Sequence, residues 1–209
     1  MIRTRGLPGV AFGEADDGDP RRDRAARTTV SATLGISDEW ALVDQVHGSR
    51  VVVATDPGHL GPADGIVTRV PGLPVVIATA DCVPVVMIGR DSVGVIHAGW
   101  RGVAAGIVPE ASRTMRQAGD EVLKAVIGPH IGPCCYEVGD EVVASIGGYA
   151  ESTSCGSQSV NLAAALRDQL SGIDVYDASA CTMHDSRFNS FRENATPRRQ
   201  VTVAWIPQD

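Results

Sequence analysis

Leu73-Pro74-Val75-Val76-Ile77-Ala78-Thr79-Ala80-Asp81-Cys82-Val83-Pro84-Val85-Val86-Met87-Ile88 is the most hydrophobic stretch of the chain. A continuous apolar run of this kind, bounded by glycine and proline, reads as strands buried on both faces. Asp81 and Pro84 split it. A charged Asp81 followed by the thiol of Cys82 violates the apolar pattern, and such violations gather at functional sites. The competing reading is that Asp81 merely caps or bridges backbone groups. Downstream, Ser92-Val93-Gly94-Val95-Ile96-His97 is another buried strand, which Gly99-Trp100-Arg101-Gly102 turns into a helix. Ala104, Ile107, Val108, Ala111, Met115 and Ala118 fall at helical spacing and predict one helix with one apolar face, ending at Gly119. A strand, a glycine turn and a helix also present N–H groups to an anion. The spacing matches neither a P-loop nor a dinucleotide fingerprint.

Working outward, Trp40-Ala41-Leu42-Val43 and Arg50-Val51-Val52-Val53-Ala54 are β-rich and flank Gln45-Val46-His47-Gly48, which predicts two strands with a turn or bulge carrying His47. Pro62-Ala63-Asp64-Gly65 signals a turn before a short strand at Ile66-Val67-Thr68. Residues 14 to 27 mix Glu14, Asp16, Asp17 and Asp19 with Arg21, Arg22, Arg24 and Arg27, and read as a solvated loop leading into a short helix. Beyond Gly119, Val122 to Ile127 is a strand, Gly128 to Tyr136 a rigid loop, and Val138, Val142, Val143 and Ile146 mark a short helix. A polar loop at 147 to 158 precedes a helix near 160 to 171 with Leu162, Ala163, Leu166 and Leu170 inward. Asp174 to Asp177 and Gln200 to Ile206 supply the last strands. Strands alternate with amphipathic helices without strict βαβ regularity, so the expected fold class is a mixed-sheet α/β or α+β domain.

The 209 residues, 44% of them apolar, support a full core, and one domain over 1 to 209 is expected. A net charge of −7 gives no basic field for a phosphate backbone, so small molecules rather than nucleic acid are the expected partners. The opening segment carries no apolar leader and no run is long enough to span a bilayer, which predicts a cytoplasmic protein with no membrane partner. There, Cys82, Cys134, Cys135, Cys155 and Cys181 should stay reduced, an odd set unsuited to a disulfide framework.

Three breaks in the apolar pattern carry His47, Cys82 and His97, against which stands the reading as core histidines and a buried thiol. Two imidazoles and a thiolate suit zinc, with the fourth position left to water or substrate, although no local spacing demands it. Copper is the alternative, because His₂Cys with Met87 as axial ligand describes a blue-copper centre. The histidines are 47, 59, 97, 130 and 184, with no His-x-His pair for the trinuclear cluster of a multicopper oxidase. A third, metal-free reading makes Cys82 a nucleophile and His97 its base, oriented by Asp81 or Asp64, as in cysteine hydrolases.

Taken together, Gln45-Val46-His47-Gly48, Ala63-Asp64-Gly65, Thr79-Ala80-Asp81-Cys82-Val83-Pro84-Val85, His97-Ala98-Gly99-Trp100-Arg101-Gly102, Ile127-Gly128-Pro129 with Ile131-Gly132-Pro133-Cys134-Cys135-Tyr136-Glu137-Val138, and Cys181-Thr182 resemble the YfiH-like, laccase-domain or polyphenol-oxidase-like family over roughly residues 40 to 206. The resemblance implies a compact layered α/β fold with flanking helices and a zinc site on His47, Cys82 and His97. It also implies phosphorolysis of adenosine, inosine, guanosine or methylthioadenosine with phosphate, beside adenosine deamination. A copper-dependent polyphenol oxidase and a peptidoglycan-precursor editing hydrolase are the alternatives it leaves. Phosphorolysis needs a phosphate site, for which Arg101 near a helix start leads, followed by Arg192 and Arg198. Asp81 is the acid adjacent in sequence to Cys82, and together with Cys82 and His97 it forms the expected catalytic set. Gln45 is expected to contact substrate or support His47. The chain departs from the family pattern at Arg5 to Val10, at Thr196-Pro197-Arg198 and around His184. Cys134 and Cys135 read as packed thiols, His59 as a surface residue, His130 as one that approaches the site, and Trp100 as either a purine-stacking ring or core.

Overall fold

Valine- and isoleucine-rich runs build two mixed sheets. In the computed structural model, which describes residues 1–4 and 6–208, the chain runs β1 (Ile2–Arg3), β2 (Val10–Phe12), α1 (Arg24–Leu34), β3 (Ala41–Asp44), β4 (Val51–Ala54), β5 (Gly58–Pro62), β6 (Gly65–Thr68), β7 (Val75–Thr79), β8 (Val83–Ile88) and β9 (Val93–Ala98). It continues through α2 (Trp100–Ala104), α3 (Ile107–Gln117), β10 (Lys124–Ile127), α4 (Asp140–Ile146), β11 (Ala150–Ser152), β12 (Gln158–Val160), α5 (Leu162–Gln169), β13 (Asp174–Asp177), α6 (Phe191–Asn194) and β14 (Gln200–Ala204). Arg5, within the divergent amino-terminal stretch, and Asp209 lie outside the described residues.

The first sheet has the order β1-β2-β14-β7-β3-β5 and the second β13-β10-β8-β9-β6-β4, each mixing parallel and antiparallel pairs. Because side chains alternate across a strand, each buried strand feeds two cores. In β8, Val83, Val85 and Met87 pack towards α3 and α5, while Val86 faces the other sheet. In β7, Val75 and Ile77 fill the seam between the sheets, while Val76 and Ala78 meet Val30 and Leu34 of α1. The result is four layers, helix, sheet, sheet, helix, with each fully buried Val, Ile or Met contributing about 1.5–3 kcal/mol of transfer free energy. The expected layered α/β architecture is what the chain forms.

Several local expectations change. The strands flanking His47 are not a hairpin: β3 belongs to the first sheet and β4 to the second, so the chain crosses between sheets there. It crosses again between β7 and β8, at Asp81. Pro84 does not break the run. Its carbonyl accepts from Gly128 N at 2.9 Å, so the N–H it lacks would point to the same side, where β10 has already ended. The single helix expected from Ala104 to Ala118 is two, α2 and α3, because Gly106 takes a left-handed φ of 76° between them. The polar loop at 147 to 158 instead forms most of the small hairpin β11–β12, which runs on to Val160. The charge run ends in an 11-residue helix, α1, started by the Asp23 carboxylate accepting from Ala25 and Ala26 N–H.

Candidate metal centre

The chain changes sheet six times, and the crossovers from β3 to β4 and from β7 to β8 end at the same place. The first is shaped by Asp64, wholly buried, whose carboxylate accepts from the backbone N–H of His47 (2.9 Å), Gly48 (2.6 Å) and Val46 (3.3 Å) and from His97 Nδ1 (2.8 Å). Three converging N–H groups satisfy a buried anion and hold His47 at φ 61°. Gln45 spends its amide on the neighbouring strand: Nε2 donates to Ala78 O and Oε1 accepts from Ala78 N. It lines the cavity described below and pins the His47 turn to β7. Gly102 lets α2 rest on this turn, since a Cβ there would lie 2.7 Å from Gly48 O.

At the second crossover Asp81 takes φ 92°. Its carboxylate accepts from Thr182 Oγ1 and Arg192 N, both at 2.7 Å, and its carbonyl from Ile131 N. Four segments are thereby tied together around Cys82. His97, near the end of β9, donates its backbone N–H to Asp64 O and pairs with Pro84. Held through Nδ1 by Asp64, its ring turns Nε2 towards Cys82. One ligand atom each from His47, Cys82 and His97 lie within 4.8 Å of one another, and the two imidazoles meet edge to face at 4.7 Å. The three residues expected to converge do so.

The electrostatics favour an ionised sulfur. Burial pushes the Cys82 thiol up, but the imidazoles of His97 and His47 more than offset it and bring it down to about 6. Burial lowers His97, yet Cys82 and Asp64 raise it to about 9. Asp64 is pushed up by burial and held below the usual carboxylate range by His97 and the Gly48 and His47 amides. A thiolate and two imidazoles, one backed by a carboxylate, are the donor set of a zinc site with a fourth position left for water or substrate. Gly99 completes the cradle: a Cβ there would crowd the His47 ring at 3.2 Å and Cys82 Sγ at 3.3 Å. The residues fit a metal ion. Met87, the axial ligand of the copper alternative, instead faces the helices in the outer core, because it lies on the opposite face of β8.

The cluster forms the floor of a cavity of about 690 Å³. Its walls carry five guanidinium groups, Arg21, Arg22, Arg101, Arg192 and Arg199, and the rings of Trp100, Tyr136 and Phe191. Arg101 lies 4.3 Å over Trp100, Arg192 5.5 Å over Tyr136 and Arg199 5.4 Å over Phe191. Burial and the nearby Arg21 hold Arg199 below its usual value, while burial and the Cys82 charge push Tyr136 up to about 12. Arg101 and Arg192 both line this cavity. Arg198 is exposed and absent from the lining; Arg199 stands there in its place. His130 is buried against Gly128 O and does not reach the cavity. Nothing in the periodicity of the chain marks Arg21 and Arg22, which sit in a charge run; Arg27 fixes their turn by donating to Pro20 O and Arg21 O.

A four-layer α/β/β/α fold in which two of the inter-sheet crossovers deliver a histidine and a cysteine, and β9 a second histidine, to an arginine-walled cavity defines the class of this protein. The chain belongs to the family described as multi-copper polyphenol oxidoreductase laccase, whose model matches residues 9–207. It is 35% identical over 204 residues to a purine nucleoside phosphorylase of Pseudomonas aeruginosa, covering 91% of this chain and 83% of that one. A purine nucleoside phosphorylase of Mycobacterium tuberculosis is 33% identical, covering 90% and 81%. Among solved structures, YlmD from Geobacillus stearothermophilus superposes with a TM-score of 0.79 at 28% identity, covering 88% of this chain and 82% of that one. The hypothetical protein YfiH of Bacillus licheniformis shares the fold, with a TM-score of 0.79 at 24% identity over 97% and 98% of the two chains. Among the described residues no helix is long and apolar enough to cross a membrane.

Proposed function

We propose that this chain is a zinc-dependent purine nucleoside phosphorylase that converts adenosine, inosine, guanosine or methylthioadenosine and phosphate to the free base and ribose 1-phosphate, with adenosine deamination as a side activity. The observation that carries this reading is the juxtaposition, in one cavity, of five arginines and three aromatic rings above the His47, Cys82 and His97 cluster. Relatives bearing the name purine nucleoside phosphorylase at 33–35% identity agree with it.

Phosphorolysis breaks the bond from C1′ to N9 and forms one from C1′ to a phosphate oxygen, so the site must hold a dianion beside a sugar that becomes cationic. Arg101, Arg192 and Arg199 bind the phosphate, with Arg21 and Arg22 adding field at the mouth. Trp100 and Phe191 offer faces to the purine. Tyr136, held as a phenol, donates a hydrogen bond to the departing base. His47, Cys82 and His97 hold the metal, which when bound supplies Lewis acidity at the cavity floor. Asp64 orients His97 and the His47 turn. Asp81, with both carboxylate oxygens already accepting, positions Cys82 and Arg192, and Gln45 positions the turn that carries His47.

Incubating metal-loaded protein with inosine or adenosine and phosphate should release hypoxanthine or adenine with an equal amount of ribose 1-phosphate; absence of both products rejects the reading. Inosine and ammonia formed from adenosine without phosphate test the deaminase activity. One observation favours a second reading, as a metal-free hydrolase: Cys82, His97 and Asp64 form a row like that of a cysteine hydrolase. A chelator that abolishes turnover excludes the hydrolase, whereas turnover that survives complete zinc removal excludes the phosphorylase as proposed.

A further inference from the structure

A second group of metal-ligating side chains lies outside the cavity. Cys134 and Cys135 come from the loop after β10, and Cys181 and His184 from the turn before α6. One ligand atom from each lies within 4.8 Å of the others. Cys134 Sγ is 3.7 Å from Cys135 Sγ and 3.8 Å from Cys181 Sγ, too far for a disulfide of about 2.05 Å. The His184 ring presents Nε2 at 3.1 Å from Cys135 Sγ and Nδ1 at 3.8 Å from Cys134 Sγ. A tetrahedral zinc with Zn–S near 2.3 Å and Zn–N near 2.1 Å has sulfur–sulfur edges of about 3.8 Å and sulfur–nitrogen edges of about 3.6 Å. The two sulfur–sulfur distances are already those of such a shell, and the His184 ring stands beside them with a nitrogen within 4.8 Å of every sulfur. Gly132 N donates to Cys181 Sγ at 3.3 Å, the kind of amide support that steadies a thiolate ligand.

We infer that Cys134, Cys135, Cys181 and His184 bind a second zinc ion, in a closed structural site with all four positions filled by protein. This inference does not depend on the purine reading. The two segments already run side by side, His130 N to Ala180 O and Thr182 N to His130 O, both 3.0 Å. Zinc staples them where they form the far wall of the cavity: Tyr136 follows Cys135 directly, and Thr182, between Cys181 and His184, holds Asp81. Reading Cys134 and Cys135 alone as packed thiols leaves out the two partners that the fold brings to them.

The test uses the full chain carrying Cys82→Ala, which removes the thiolate of the cavity cluster, reduced and dialysed against trace zinc. Mass spectrometry should find about one zinc per chain. Adding Cys134→Ser and Cys181→Ser should lower this below one tenth. His184 is exposed, so His184→Ala should keep the circular dichroism spectrum while weakening zinc at least tenfold in competition with a chromogenic chelator. With cobalt in place of zinc, the charge-transfer band should have an intensity appropriate to three thiolates, and Cys135→Ser should cut it by about a third. A Cys82→Ala chain that holds no zinc, or a His184→Ala chain that keeps full affinity, overturns the proposal, and the second arm decides even where the serine variants fail to fold.

Discussion

His47, Asp81 and Ala195 are non-glycine residues with positive φ, at 61°, 92° and 53°, and all three line the cavity. Left-handed backbone costs an ordinary residue about 1–2 kcal/mol and persists only where surrounding bonds over-determine it. At His47 those bonds come from one side chain. Asp64 receives the N–H groups of residues 46 to 48 and the His97 imidazole, so a single carboxylate places two of the three cluster residues. Replacing it by asparagine keeps the volume and one acceptor but removes the charge and turns N–H donors towards N–H donors. Asp64→Asn is expected to weaken zinc at the His47, Cys82 and His97 cluster by 10- to 100-fold, as loss of a carboxylate behind a ligating histidine does. It should also cost about 2–3 kcal/mol of stability, from charged hydrogen bonds lost in a buried site. Chelator competition and urea denaturation measure the two effects. Unchanged zinc affinity would show that Asp64 supports the fold alone.

The elements repeat this economy on a larger scale, because short turns set the positions of long ones. The α2 helix approaches the His47 turn so closely that only glycine fits at 102. Gly102→Ala must push α2 or the turn aside, and a loss of about 1–3 kcal/mol is expected from such overpacking, with a parallel fall in zinc affinity as His47 moves from Cys82. Equilibrium unfolding and metal titration of one variant read both. At the other end of β8 and β9, Asp120 closes their connection, accepting from the N–H groups of Arg90, Asp91 and Glu121 and from Ser92 Oγ. Burial raises its pKa, but these donors bring it down to about 2. A depressed folded-state pKa contributes stability above the unfolded value near 4 that is lost as pH falls towards 2. Wild type should therefore exceed Asp120→Asn by on the order of 1 kcal/mol at pH 6, after solvent screening, and the difference should close between pH 4 and 2. A gap that stays constant with pH would remove the assignment. Much of this level is legible in sequence: Val75 to Thr79, Val83 to Ile88 and Val93 to Ala98 announce buried strands by composition, and the breaks at His47, Asp81 and His97 mark the site. Sheet membership is not. The pattern of Ala41 to Asp44 and Val51 to Ala54 is the same whether the two strands pair or separate, and only long-range packing separates them. Arg21 and Arg22 escape notice for the same reason, as a charge run looks alike on a solvated loop and on a cavity wall.

At the scale of the molecule, a chain of net charge −7 gathers five arginines around one opening, so the cavity focuses an attractive field for anions within an otherwise acidic protein. The floor of that cavity is also where two of the six covalent links between the sheets meet, the segments from Asp44 to Val51 and from Thr79 to Val83. A metal held by His47 and Cys82 would clip these two crossovers to each other and to β9 through His97. Unfolding one sheet away from the other breaks that clip, so zinc should stabilise the whole chain. Binding to the native state alone contributes RT ln(1 + [L]/Kd), about 4 kcal/mol at free zinc a thousand times Kd. For a chain of this size each kcal/mol moves Tm by about 2–4 °C, and zinc is expected to raise Tm by about 10 °C over chelated protein. Scanning calorimetry at several free zinc concentrations checks this, with Cys82→Ala as the comparison. The variant should keep only the smaller rise contributed by Cys134, Cys135, Cys181 and His184. If Cys82→Ala shows the full wild-type rise, the crossovers are not bridged through the metal and the stabilisation comes from the second cluster alone.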